Sequence, residues 1–138
     1  GIVLSKDGGA LVKMLTPFNI GMGGKIGSGT QYMSWVAMDD VTGAIHHALV
    51  TDSLKGPVNI TAPYPVTNIE FTHTLGKVIN RPTVIPMPAF AARLALGEMA
   101  KDLLLASAKV APKKLSDSGY EFQYPELEDA LRHALSVD

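Results

Sequence analysis

Four histidines, a glycine-rich stretch and a scatter of serines are the residues of this 138-residue chain that could carry chemistry. Histidine is the usual general base and a common metal ligand. Here His46 and His47 are adjacent, so on a helix they point about 100° apart and do not easily share one ion. His73 and His133 stand alone, and no H-E-x-x-H or i, i+4 pair exists. The glycines of "GMGGKIGSG" could cradle a phosphate. A dinucleotide fingerprint read from Gly21 fails at Ile26, however, and read from Gly27 it fails at Tyr32. A P-loop fails because Gly24-Lys25 is followed by Ile26. Ser5, Ser28, Ser34 and Ser107 lack a G-x-S-x-G elbow. Glu98 and Asp102 fall one helical turn apart, but Lys101 beside them reads as an ordinary solvated face. Residue chemistry alone shows no catalytic centre.

Composition narrows the partners. With 46% hydrophobic and 18% charged residues the chain can bury one core, so residues 1–138 are read as a single domain. A net charge of −1 and the lack of a basic run give no field for a phosphate backbone, and no nucleic acid partner is expected. No apolar run approaches the roughly 18 residues of a membrane span, so no membrane partner is expected either. There is no cysteine, which fits a reducing cytoplasm, the expected location.

The elements that must position these residues follow from period and punctuation. Ile2–Leu4 reads as a short strand, and "ALVKMLTPF" as a short helix ended by Pro17. After the glycines, residues 31–38 read as extended. Asp39 or Asp40 is then expected to cap a helix whose inner face is Val41, Ala44, Ile45, Ala48 and Leu49. A strand is expected near Val58–Thr61. Thr67 and Glu70 form a T-x-x-E capping box, with Val66 and Phe71 at the staple positions, and predict a helix from Asn68 to about Asn80.

Pro88 opens a further helical segment, either one long helix or two short ones, with Phe90, Leu94, Met99, Leu103 and Leu104 as its apolar positions and Gly97 as a break. A short helix from about Pro112 stops at Gly119, "YEFQY" reads as a strand, and Pro125 opens a last helix with Leu127, Ala130, Leu131 and Ala134 inward. Strands that come singly, each followed by a helix or loop, point to an α/β fold with few short strands and several helices.

The order of motifs adds a resemblance. "GIVLSKDGGALVKML", "GSGTQYMSWVAMDDV", "GPVNITAPYPVTNIEF", "LGEMAKDLLLAS" and the tail from "PKKL" to "YEFQYPELEDAL" follow one another over nearly the whole chain. This order resembles the C-terminal domain of epimerase-like extended short-chain dehydrogenase/reductases, in the NAD-dependent epimerase/dehydratase superfamily. The resemblance implies a substrate-side portion of a Rossmann-type protein, with residues from about 85 to 138 as its family-specific helical segment. It also implies an absent N-terminal Rossmann half, which carries the NAD or NADP loop and the Tyr-x-x-x-Lys pair. Tyr32, Tyr64, Tyr120 and Tyr124 are followed four residues on by Val36, Asn68, Tyr124 and Glu128, so no such pair lies in this chain. No catalytic residue, no cofactor-binding residue and no metal ligand is therefore expected here, and this fragment is not expected to bind NAD or NADP tightly.

The expected partners are that Rossmann half and a small-molecule substrate. A first strand exposed along one edge also leaves the chain open to homodimerisation. The opening segment resembles "G-D-G-x-Q-x-R-D-W/F-x-x-V-x-D" of nucleotide-sugar enzymes, with Gly27, Gly29, Gln31, Trp35 and Asp40 in place. The diphosphate-gripping Arg of those relatives is Met33 here, so a sugar nucleotide held in the usual way is not expected. By position in the family the substrate-side residues are Lys13, Gln31, Met33, Ser34, Met87 and Phe90. The rival readings are a non-catalytic member that senses a dinucleotide or binds a protein, and a self-standing binding module.

Overall fold

The computed structural model describes residues 2–98 and 109–137. β1 (Ile2–Leu4) lies parallel to β3 (Trp35–Ala37), with Ile2 opposite Trp35 and Leu4 opposite Ala37. A second, antiparallel pair joins β2 (Tyr32–Met33) to β4 (Val66–Thr67). Side chains alternate across a strand. Ile2, Leu4, Trp35 and Ala37 therefore share one face of the β1–β3 pair and enter the main core with residues of α1 (Ala10–Asn19), α3 (Asn68–Ile79) and α6 (Leu127–Ala134). Val36, on the opposite face, is buried where α2 (Met38–Val50) packs on both strands.

The best-marked helix forms as its residues require. The Thr67 hydroxyl accepts the Glu70 N–H at 3.3 Å, while Glu70 Oε1 accepts the Thr67 N–H at 3.3 Å. This capping box satisfies orphan donors of the first turn, and Phe71 is fully buried beside it. The helix ends on Asn80 in the left-handed conformation. In α6, Leu127, Ala130 and Leu131 recur at helical spacing and are buried, with Ala134 packed at the core margin. Helix α5 (Lys113–Asp117) stops before Gly119 as expected.

Several expectations are corrected. Pro17 does not end α1 but lies inside it, in the last turn, where one missing backbone donor is tolerated. Residues 58–61 form no strand; the segment only runs beside β3, with the Ala62 N–H donating to the Trp35 carbonyl at 2.7 Å. "YEFQY" is also not a strand, because two of its backbone donors, the Gln123 and Tyr124 N–H groups, are taken by the Asp40 carboxylate. On α2, only Ala44 of the five expected inward residues is fully buried, while Ile45 and Leu49 stand in solvent. Helix α4 (Ala89–Leu96) stops at Gly97 and turns Ala92 and Leu96 inward, leaving Phe90 and Leu94 outside. Met99, Leu103, Leu104, Asp102 and Ser107 lie outside the described residues.

Candidate functional site

Open α/β sheets bind ligands outside the carboxyl ends of their strands. In this chain those ends are Leu4 and Ala37, which lead into the Ser5–Gly9 loop and the first turn of α2. A groove of about 490 Å³ opens there, floored by Ile2, Val3, Met38 and Val41 and walled by Asp7, Gly9 and Ala10. It runs along the outer edge of β1. The Ile2 N–H donates to the Ser34 carbonyl at 2.8 Å, so by strand alternation the Val3 N–H points away from β3, toward that edge.

Next to this groove the two aspartates of "MDD" divide their work. Neither caps the helix: the cap position is Ala37 and makes no side-chain hydrogen bond. Asp40 is completely buried and accepts three hydrogen bonds, from the Tyr120 hydroxyl at 2.7 Å, the Gln123 N–H at 2.8 Å and the Tyr124 N–H at 3.0 Å. A carboxylate removed from water needs such donors, and these come from one extended segment between α5 and α6. The Tyr120 hydroxyl titrates well above the usual tyrosine range, first because burial disfavours its anion and then because it donates to Asp40.

Asp39 faces outward and meets His133 at 2.9 Å, with both side chains nearly half exposed. Tyr124 stacks on the His133 ring, with centroids 4.4 Å apart and planes 15° apart. A second clasp joins α3 to α6, where Glu128 bonds Lys77 and Arg132 at 3.0 Å each. Those two hydrogen bonds hold the Glu128 carboxyl below the usual glutamate range.

The six expected substrate-side residues do not form one pocket. Gln31, Met33 and Met87 converge on a buried node made by Ile26 and Asn68. Asn68 Oδ1 accepts the Ile26 N–H at 2.7 Å, its amide donates to the Met33 sulfur at 3.5 Å, and the Gln31 amide donates to the Ile26 carbonyl at 3.0 Å. Met87 joins the node through a parallel bridge to Ile26. Met33 is 1% exposed, so the residue in the position of the diphosphate-gripping arginine is core.

Ser34 is also buried; its hydroxyl accepts the Val110 N–H at 2.9 Å, while the Thr61 hydroxyl donates to the Val110 carbonyl at 3.3 Å. Lys13 stands on the exposed side of α1, and Phe90 is exposed on α4. Trp35 is a packing anchor: it is buried, and its indole N–H donates to the Tyr64 carbonyl at 3.1 Å.

Within the glycine-rich stretch, Gly24 and Gly29 serve close packing. A Cβ on Gly24 would collide with the Ile85 carbonyl, and one on Gly29 would lie 2.4 Å from the Ile69 side chain. These glycines let two chain segments touch, and that use does not leave them lining a phosphate cradle. Among the described residues no group of three or more His, Cys, Asp or Glu could hold a metal ion. No described helix is long and apolar enough to cross a membrane.

Sequence reasoning missed Asn68 and Tyr120. Asn68 was legible only as the first residue after a cap. The signal for Tyr120 was the adjacent Asp39 and Asp40, one more acid than a cap requires.

The parallel strand pair, the crossing helices and the ordered motifs define an α/β domain similar to the C-terminal domain of epimerase-like extended short-chain dehydrogenase/reductases. Residues 87–134 match the family model described as domain of unknown function (DUF1731). An epimerase family protein of Mycobacterium tuberculosis is 42% identical over 134 residues, which is 97% of this chain and 44% of the relative. The crystal structure of human epimerase family protein SDR39U1 with NADPH superposes with a TM-score of 0.89 at 38% identity, over 99% of this chain and 46% of that one. A nucleoside-diphosphate sugar epimerase of Corynebacterium glutamicum gives a TM-score of 0.67 at 33% identity, over 98% of this chain and 25% of its own. This chain thus spans under half the length of the relatives it matches.

Proposed function

We propose that this chain is the substrate-side domain of an NAD(P)-dependent, epimerase-like oxidoreductase acting on a small molecule, and that the cofactor and the reacting groups belong to the rest of a longer protein. The observation that carries this reading is the human relative, which superposes over nearly all of this chain, extends well beyond it and was crystallised with NADPH. The open edge of β1 supports it. The outer edge of β1, which has no strand partner among the described residues, lies beside an apolar groove, and the exposed Ile45 and Leu49 lie further along α2, so this is a surface built to be covered. The covering element in this reading is the Rossmann half, whose next strand pairs with β1 and whose cofactor lies over the Ser5–Gly9 loop.

The substrate in this reading is not a sugar nucleotide gripped by arginine, because Met33 is buried against Asn68 and makes no charged contact. The test is calorimetric titration of NADPH and NADH into the full-length protein and into this chain alone. Binding of either dinucleotide by the full-length protein and by it alone is expected. No binding by the full-length protein would overturn the proposal.

A further inference from the structure

The turn that follows α3 fixes a cation without neutralising it. Asn80 ends the helix in the left-handed conformation, and the Arg81 N–H then donates to the Gly76 carbonyl at 2.9 Å, which folds residues 81–83 back onto α3. The fit is close. A Cβ on Gly76 would lie 2.5 Å from the Thr83 methyl carbon and 2.9 Å from the Arg81 carbonyl oxygen. The Arg81 side chain is held by carbonyls, its Nε donating to Asn19 at 3.0 Å and its Nη1 to Asn80 at 3.1 Å. Those bonds orient the guanidinium and leave its charge in place, because a peptide carbonyl is neutral. Among the described residues no carboxylate forms an ion pair with Arg81, whereas Lys77, Lys113 and Arg132 each have one.

A depression of about 400 Å³ opens beside this group. Its lining comes from α3, with His73, Gly76 and Lys77, and from the turn, with Arg81 and Thr83, and it contains no acid. Glu128, the partner of Lys77, stands outside the lining.

We infer that this depression is a binding site for a phosphate group, with Arg81 as its anchor. The planar, permanently charged fork of a guanidinium matches phosphate oxygens. The carbonyls use two of its N–H groups, and the others are left for a ligand. Because the backbone already holds the fork, little side-chain freedom is lost on binding. Lys77 brings a second positive charge to the lining, and the Thr83 hydroxyl and the His73 ring add hydrogen-bonding groups. The volume lies at the low end of ligand pockets, so it suits a phosphate with a short body and not a dinucleotide. The site shares no lining residue with the groove at β1 and does not depend on the oxidoreductase reading.

The experiment is titration of the full-length protein at fixed ionic strength with inorganic phosphate and, separately, with glycerol 3-phosphate, followed by NMR of the arginine Nε–H and the backbone amides. A saturating shift at Arg81 is expected, with Arg132, whose Nε is held by Glu128, unmoved. Tighter binding of glycerol 3-phosphate would assign the site to a phosphate monoester, and equal binding would assign it to free phosphate. Arg81→Gln, read at the Gly76 and Thr83 amides, should weaken binding about tenfold. That variant also gives up two carbonyl bonds, so Lys77→Gln, which leaves the turn intact, should by itself weaken binding about threefold. A non-saturating shift at Arg81, or an equal shift at Arg132, would overturn the inference, and so would binding that both variants leave unchanged. An Arg81 resonance that does not move would mean that an acid elsewhere in the longer protein already neutralises it, and would overturn it equally.

Discussion

Asp40 and Tyr120 are 80 residues apart in the chain, and their side chains meet at 2.7 Å. The contact fastens the segment between α5 and α6 to the first turn of α2, and two backbone donors of that segment complete the carboxylate's shell. It also explains a glycine inside a helix. A Cβ at Gly43 would lie 2.5 Å from the Tyr120 hydroxyl oxygen, so α2 accepts the propensity cost of glycine to admit the ring.

Replacing Asp40 by Ala should therefore lower stability by about 2–3 kcal/mol, because the hydroxyl and two N–H groups lose a charged acceptor together. Asp40→Asn should cost less, since one amide oxygen can still accept. Chemical denaturation with the same slope for each variant is the appropriate measurement. A loss below about 0.5 kcal/mol for Asp40→Ala would mean that water replaces the carboxylate freely.

The raised titration of Tyr120 gives a stability change on the alkaline side. In the unfolded chain tyrosine loses its proton near pH 10, while in the fold the proton is retained to higher pH. Above pH 10 the unfolded state thus binds fewer protons than the folded one, and stability falls as pH rises. Thermal melts of the wild type should weaken from about pH 10 upward. Tyr120→Phe should be less stable at neutral pH and should have a shallower alkaline slope. An unchanged slope in that variant would assign the effect to another group.

Met33→Arg should destabilise the protein and not create a sugar-nucleotide site. The side chain is enclosed with Asn68, and no carboxylate is seen to contact it there, so a guanidinium would be buried without an ionic partner. The expected outcome is poor folding or a loss of several kcal/mol, read by thermal melting. A stable Met33→Arg protein that binds a nucleoside diphosphate sugar would show that the segment can turn this position outward.

Asn68 holds the Ile26 N–H and touches Met33, so Asn68→Leu should cost about 1–3 kcal/mol by leaving a buried backbone donor unpaired. Thr67→Ala, one residue earlier, removes the capping box at the surface and should cost about 1 kcal/mol. The ratio of the two losses distinguishes a buried node from a helix end.

Local rules were legible where they act within a few residues. The Thr67–Glu70 box, the Gly97 and Gly119 stops and the inward stripe of α6 all lie where the sequence places them, because their causes are backbone donors and side-chain period. The misreadings concern residues whose partners are distant in the chain. Asp39 and Asp40 read as a cap because an acid before a helix usually is one, whereas their real partners are His133, Tyr120 and the Gln123–Tyr124 backbone. "YEFQY" has the alternation of a strand, but Asp40 takes two of its N–H groups. The apolar stripe of α2 was read correctly as a stripe, yet Ile45 and Leu49 find nothing to cover them among the described residues. Of the candidate site, Gln31, Met33 and Met87 were placed together by family position alone. What joins them, Asn68, carries no chemistry that a sequence motif would flag.

The most direct measurement is amide hydrogen exchange at Val3, compared between this chain alone and the full-length protein. If a cofactor half completes the sheet, the Val3 N–H is bonded in the full-length protein and exchanges slowly there, while in the isolated chain it exchanges at nearly the rate of an open edge. Equally fast exchange in both would mean that β1 remains an edge in the intact protein, and the substrate-side assignment of this domain would fall with it.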